Sequence, residues 1–288
     1  MGTGVPVLDR EALLASAQTL GPLPSTAQRL VGIVADPDHD VREVVEVVSL
    51  DPRFAAALLR RTNAGSGAHR VATIREAAML LGPGALLSTA LATVVSGPMT
   101  RAVPALGLAR GGLWRQAVTA SLAADVVRTA ANVAVPAEVT VAALLHDVGL
   151  LVLSEHVPSA ILARVRELAG ATGQGLVEAE RTLLGVEHAE IGAIVARHWR
   201  LPDTVVAAIA HHHEPGDGLP PASAATSLAH RLALAVPHAG GQEPDATTTE
   251  PAVGALASLG LDPARFLGLV VLTRRRCAEQ AGRYRVDP

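Results

Sequence analysis

At 288 residues the chain is about twice the ~150 residues expected of one domain, which leaves room for two packed subdomains or one large domain with a sizeable core. Hydrophobic residues make up 49% and aromatics only 2%, so the core has to be built from Leu, Val, Ala and Ile, and base-stacking platforms for single-stranded nucleic acid are excluded. All 24 basic side chains are Arg, which excludes Schiff-base lysines and a Walker-type phosphate lysine, and a formal charge of -3 gives no global reason to seek a polyanion.

In chain order, the N-terminus lacks a basic stretch before an apolar run and carries Asp9 and Glu11, so no secretory signal is expected. Ser25 with Gln28 has capping-box spacing, and Val41, Val44, Val45 and Val48 follow the i, i+3, i+4, i+7 rule for one buried helix face. Asp51-Pro52 sets an acceptor and a φ-fixed residue at a helix start, and Asn63 is placed to cap the end of that helix. Thr73 with Glu76 repeats the capping box. The uncharged run Ala77–Thr100 is split by Gly82-Pro83-Gly84 into pieces shorter than the about 20 residues of a membrane span, and is read as buried helix. Helical periodicity breaks over Ser96–Gly112 and resumes near Trp114, and Pro136, Pro158, Pro202 and Pro220-Pro221 punctuate the second half of the chain.

Residues 239–251, small, polar and Pro-containing, offer no apolar face and read as a loop. A last helix is expected from Asp262, with its acceptor-proline start, to about Ala281; it carries Arg274, Arg275 and Arg276. Alternating strand patterns do not occur, so the predicted class is all-α. The expected organisation is an N-terminal helical lobe at 1–103, a second helical lobe at 113–236, a flexible loop at 237–261 and a C-terminal helix with a basic Arg cluster at 262–288. The single cysteine, Cys277, forms no internal disulfide and is read as an ordinary helix residue of a cytoplasmic protein.

Chemistry concentrates in VAALLHDVGLL, residues 141–151, which puts His146 and Asp147 side by side inside an otherwise apolar helix; burying both is costly unless they are paired or bind something. Imidazole beside carboxylate is half of a divalent-ion site. His188, the run His211-His212-His213-Glu214, and His230 follow in separate segments that could converge on one cavity. Taken singly, each of these histidines also reads as a helix-end or surface residue. No nucleophile elbow, P-loop or Rossmann fingerprint is present, and Trp114 and Trp199 read as core or interface anchors.

LLHDVGLL followed by GVEHAEIGAIVARHWRLPDTVVAAIAHHHEP resembles the HD superfamily of helical metal phosphohydrolases, and LGPLPSTAQRLVGIVADPD, LDPRFAAALLRRTNAG and TIREAAMLLGPGALL make the likeness greatest to its HDOD branch, over about residues 20–236. The resemblance implies a two-lobed HDOD architecture with an HD-like second lobe. It implies that His146 and Asp147 match the His-Asp pair, that His188 matches the next histidine, and that His212 and His213 match the paired histidines of HD-GYP phosphodiesterases. Three positions depart: Gln116 stands where an early His ligand is expected, Leu150 where HD-GYP enzymes have Lys, and His230 where a late Asp is expected; the Gly-Tyr-Pro after Glu214 is missing. The implied metal site, His146, Asp147, His188, His212, His213 and His230, is therefore a degenerate one, at most holding a divalent transition metal. The implied function is that of a stand-alone bacterial signal-transduction output module, acting through protein partners, with no clear nucleic-acid or membrane contact and no catalysis. The competing readings are a metal-dependent phosphodiesterase of a nucleotide or cyclic dinucleotide, and an adaptor docking Arg274–Arg276 on an anionic partner.

Overall fold

The computed structural model describes residues 9–34, 40–63, 70–172, 175–214, 218–236 and 252–280. Among them no strand occurs, only an isolated bridge between Val103 and Leu108. The helices are α1 (Arg10–Ser16), α2 (Ser25–Val34), α3 (Val41–Ser49), α4 (Pro52–Asn63), α5 (Ile74–Met99), α6 (Gly112–Ala130), α7 (Val139–Leu145), α8 (Val148–His156), α9 (Ser159–Thr172), α10 (Gly175–Leu184), α11 (His188–His198), α12 (Asp203–Ala210), α13 (Pro221–Ala235), α14 (Val253–Ser258) and α15 (Phe266–Gln280). The all-α expectation holds.

Local signals set several starts. Asp51 accepts from the backbone N–H of Arg53 and Phe54, Thr73 Oγ1 from Glu76, and Asp262 from Ala264, each as an N-cap. Ser25 does not cap: it is already inside α2, Pro24 supplies the first carbonyl, and the Gln28 amide turns back to donate to the Leu23 carbonyl. On α3 the buried residues are Val44, Val47 and Val48, with Val41 and Val45 half-buried, so the face is rotated by a fraction of a turn from the expected one. The helix of Ala77–Thr100 bends at Gly82, whose φ of 71° is open to glycine at little cost, and its two halves diverge by 113°. The expected break at Ser96 comes later, because α5 continues through Pro98 to Met99. Asn63 ends α4, but its amide reaches across rather than capping: Nδ2 donates to the Val71 carbonyl and Oδ1 accepts from the Val71 N–H.

Helices α2–α5 form one lobe and α6–α13 the other, joined by a single apolar core that runs from Leu30 and Leu58 through Leu87 and Leu113 to Leu145 and Ile209. The first described residues lie on the second lobe, not the first. Arg10 donates to the Gly185 carbonyl and pairs with Glu190, and the Trp199 indole donates to the Gly21 carbonyl. Helices α6 and α13 pack against each other along a seam that includes Ala120, Ala123, Ala124, Ala224, Ala225 and Ala229, small side chains that let the backbones approach closely.

Residues 237–251 lie outside the described residues. The described part of the expected loop 237–261 is not irregular throughout: α14 forms at Val253–Ser258, and its Ala255 and Leu256, with Leu259 just after it, are buried in a cluster with residues of α13 and α15. The short apolar stretch VGALASLGL is stabilised by that burial, not by its own helix propensity. After a 3-10 turn at Pro263–Arg265, α15 lays Phe266, Leu269 and Thr273 on the lobe. Cys277 sits half-buried against Thr119, and burial pushes its thiol pKa up. One apolar window, Val139–His156, has the length and hydropathy of a membrane span, but 83% of it is buried inside the fold.

Candidate metal centre

His146 and Asp147 are not in the interior of one helix, as their apolar surroundings led us to expect, but form the junction between α7 and α8. Asp147 occupies the N-cap position of α8 and yet makes no capping bond. Its carboxylate turns inward instead. Gly149 explains how α8 can lie so close to α11: a Cβ there would stand 2.0 Å from the His188 carbonyl oxygen and 2.9 Å from the Gly192 nitrogen. The backbone contact sets His188, the first residue of α11, directly over Asp147. His212 and His213 come from the turn that ends α12, and His230 from the buried face of α13.

The Asp147 oxygens divide the cluster. Oδ2 faces His146 Nε2 at 3.1 Å and accepts from the Gln116 amide at 2.9 Å; Oδ1 faces His188 Nε2 at 3.3 Å and His212 Nε2 at 3.6 Å. His230 Nδ1 lies 2.9 Å from His146 Nε2, and His213 Nε2 lies 2.9 Å from His188 Nε2. Two overlapping donor groups result, His146, Asp147, His212 and His230, and Asp147, His188, His212 and His213, with the atoms of each within 4.8 Å of one another. All six residues named from the sequence therefore meet at one place. His211 does not join them; it pairs with Glu214 at the surface.

Ring orientation is decided behind the site. His146 Nδ1 and His212 Nδ1 each lie 2.7 Å from a backbone carbonyl, of Ala143 and Ile209, and a carbonyl only accepts, so both Nδ1 atoms carry the proton. His188 Nδ1 lies 2.7 Å from Glu180 Oε2 in the same relation. Each ring thus turns Nε2 toward Asp147, the arrangement that prepares imidazoles to ligate a metal. Glu180, only 1% exposed, was not anticipated. Its signal was present: with Leu176, Ala179, Leu183 and Leu184 it lies on the i, i+3, i+4 stripe that α10 buries.

Charge in the site is set by competition between burial and neighbours. Burial disfavours the Asp147 charge, but the neighbouring His146 and His188 prevail and hold its carboxyl well below the usual range. Burial also disfavours protonated His188, yet the Glu180 charge and the hydrogen bonds of Asp147 and Glu180 prevail and raise it to about 10. His212 has no such support: burial pushes it down to about 4, and His213 and His230 are driven well below 6.5, first by burial and then by neighbouring histidines. His212 is accordingly neutral, and its Nε2 lone pair is buried without a hydrogen-bond partner, aimed at a carboxylate. A lone pair facing a carboxylate asks for a cation between them. Ligand atoms about 2.1 Å from a zinc-like ion stand roughly 3–4 Å apart, close to the separations here, so the residues fit a divalent transition metal.

An open pocket of about 190 Å³ lies elsewhere, in the first lobe, lined by Thr26, Asp51, Arg53 and Thr93. His146, Asp147, His188 and His212 are each no more than 2% exposed, and among the six only His213 is not fully buried.

The comparisons agree with this architecture. A protein from Treponema pallidum (strain Nichols), itself uncharacterized, is 27% identical over 194 residues, which is 66% of this chain; the chain spans 37% of that relative's length. An HDOD domain protein of unknown function from Geobacter sulfurreducens superposes with a TM-score of 0.72 at 23% identity, covering 94% of this chain and 98% of its own. A candidate phosphohydrolase from Shewanella amazonensis SB2B gives 0.69 at 23% identity, covering 95% and 98%, and a candidate signal transduction protein from Marinobacter aquaeolei VT8 gives 0.70 at 22%, covering 98% and 67%. Residues 20–215 match the profile of the HDOD domain, and the chain belongs to the HDOD domain family.

Proposed function

We propose that the protein is a regulatory HDOD module of bacterial signal transduction, in which His146, Asp147, His188, His212, His213 and His230 hold a divalent transition metal ion and the helical surface carries the output through contacts with protein partners. The observation that carries the metal reading is the buried, neutral His212, whose Nε2 faces Asp147 Oδ1 without a hydrogen-bond partner. An ion held there would give the His212 lone pair a partner and would take the place of the proton that His188 holds beside Asp147. Binding joins residues from α7, α11, α12 and α13, so occupancy would stiffen the lobe as a whole.

Burial supports regulation over catalysis. A phosphodiester has to reach the metal and its water, whereas the central donors are closed off by their own helices. Leu150 and the Gln116 amide, bonded to Asp147, supply neither a phosphate-binding cation nor an imidazole. The names of the Shewanella and Marinobacter proteins, one pointing to phosphate chemistry and one to signalling, are consistent with either branch of the superfamily. The lone, half-buried Cys277 fits a cytoplasmic setting.

Elemental analysis of untagged protein, wild type and His146→Ala, run beside a manganese-supplemented assay with a generic phosphodiester, tests the proposal. The expected result is about one or more transition-metal ions per chain in the wild type, loss in the variant, and no turnover. Turnover abolished by His146→Ala would make the protein a phosphodiesterase; metal-free wild type that does not take up manganese or zinc would remove the metal from the proposal.

A further inference from the structure

We propose that Glu180 is a positioning residue: it fixes which nitrogen of His188 faces Asp147, and so makes His188 a competent ligand. The proposal rests on the metal-holding reading above.

A single oxygen does two jobs. Glu180 Oε2 accepts from the His188 backbone N–H at 2.9 Å and from its ring Nδ1 at 2.7 Å. Tying backbone and ring of the same residue to one atom leaves the imidazole little freedom to rotate. Capping explains the first bond: that N–H opens α11, where donors lack intrahelical partners, and the preceding Glu187 provides no capping bond. Capping does not explain the second. The Nδ1 bond commits one ring nitrogen and its proton to Glu180 and turns Nε2 toward Asp147 Oδ1 at 3.3 Å and His213 Nε2 at 2.9 Å. A carboxylate behind a ligating imidazole fixes its tautomer and raises its basicity.

The other oxygen supports the same role. Glu180 Oε1 is buried without a hydrogen-bond partner, a costly position for a carboxylate that serves only as a cap. Its charge faces the His188 ring through the ion pair of Nδ1 with Oε2, and a metal that displaces the proton from Nε2 would keep a positive charge on that side of the carboxylate. His146 and His212 receive only a neutral carbonyl behind the ring, so His188 is the donor whose strength depends most on what stands behind it.

The test compares wild type with Glu180→Gln, which keeps the shape and an acceptor but removes the charge. Zinc titration of both is combined with long-range 1H–15N spectra of the His188 ring, assigned by its loss in His188→Gln. The expected result is a 10–100-fold loss of zinc affinity in Glu180→Gln, with helicity and melting temperature of the metal-free protein retained and the Nδ1–H resonance shifted upfield. Equal zinc affinity in the two proteins overturns the proposal. Should Glu180→Gln fail to fold, the wild-type spectrum decides: Nδ1 protonated supports it, Nδ1 bare overturns it. Wild type that takes up no zinc defeats the metal reading alone, and the same Nδ1 criterion on metal-free protein still judges Glu180.

Discussion

Replacing Gly149 with Ala is the most direct perturbation of the geometry that brings Asp147 and His188 together. The added Cβ would lie 2.0 Å from the His188 carbonyl oxygen, 2.8 Å from its carbon and 2.9 Å from the Gly192 nitrogen, all backbone atoms that no rotamer change can move. Real contacts do not fall below 3.0 Å, so α11 has to retreat by about 1 Å relative to α8, disturbing the 3.3 Å contact of Asp147 with His188. Overpacking a core costs about 1–3 kcal/mol, and collision with backbone belongs at the upper end of that range. For a domain of this size about 3 kcal/mol corresponds to a melting temperature lowered by roughly 6–12 °C. Gly170→Ala is the internal control: that glycine lies exposed on α9 with nothing within 4 Å of an added Cβ, and the change is expected to stabilise by about 0.5–1 kcal/mol through helix propensity. Thermal and urea unfolding of metal-free wild type and both variants measures the difference, and zinc titration reads the effect on the cluster. Gly149→Ala that melts within about 2 °C of wild type and binds zinc equally well would refute the close approach of α8 to α11.

Other expectations rest on single contacts. Asn63→Ala removes both bonds to the Val71 backbone and is expected to cost about 1–3 kcal/mol in urea unfolding. His212→Leu loses the bond to Ile209 but also removes a buried, unpartnered nitrogen; metal-free stability is expected to stay within about 1 kcal/mol of wild type while stabilisation by zinc disappears. Joint replacement of Arg274, Arg275 and Arg276 by Ala is expected to change stability by less than about 1 kcal/mol, because the ion pairs of Arg275 with Glu279 and of Arg276 with Asp125 are exposed; a larger loss would show that they anchor α15. Because burial raises the Cys277 thiol pKa, its reaction with a disulfide reagent is expected to rise with pH through a midpoint above that of free cysteine, and a midpoint below it would contradict the packing against Thr119.

What the sequence made legible depended on how local the cause was. Thr73, Asp51 and Asp262 announced their helices because an N-cap acts within three residues. Ser25 misled because the neighbouring Pro24 takes the position that the spacing gave to the hydroxyl. The six donors could be named from their resemblance to HD proteins, but their common meeting point is a tertiary fact, made by close helix crossings such as the one at Gly149. Glu180 escaped because a glutamate in a helix with Glu178 and Arg181 beside it reads as solvated surface unless its register with Leu176 and Leu184 is weighed. Helix α14 escaped because six residues carry too little periodicity to outweigh the turn-rich stretch before them.

The alanine seam between α6 and α13 has a consequence for how this protein tolerates change. Where a core is built of large side chains, damage comes from shaving them down, since each truncation leaves a void. At Ala120, Ala124, Ala225 and Ala229 there is almost nothing to shave. Injury there comes from growth: a single Val or Leu would act as a wedge between the backbones and splay the helix carrying His230 from its neighbour. The lobe should therefore show an inverted mutational profile, indifferent to Ala→Gly along much of the seam except for lost helix propensity, and intolerant of every larger apolar residue that hydropathy alone would call conservative.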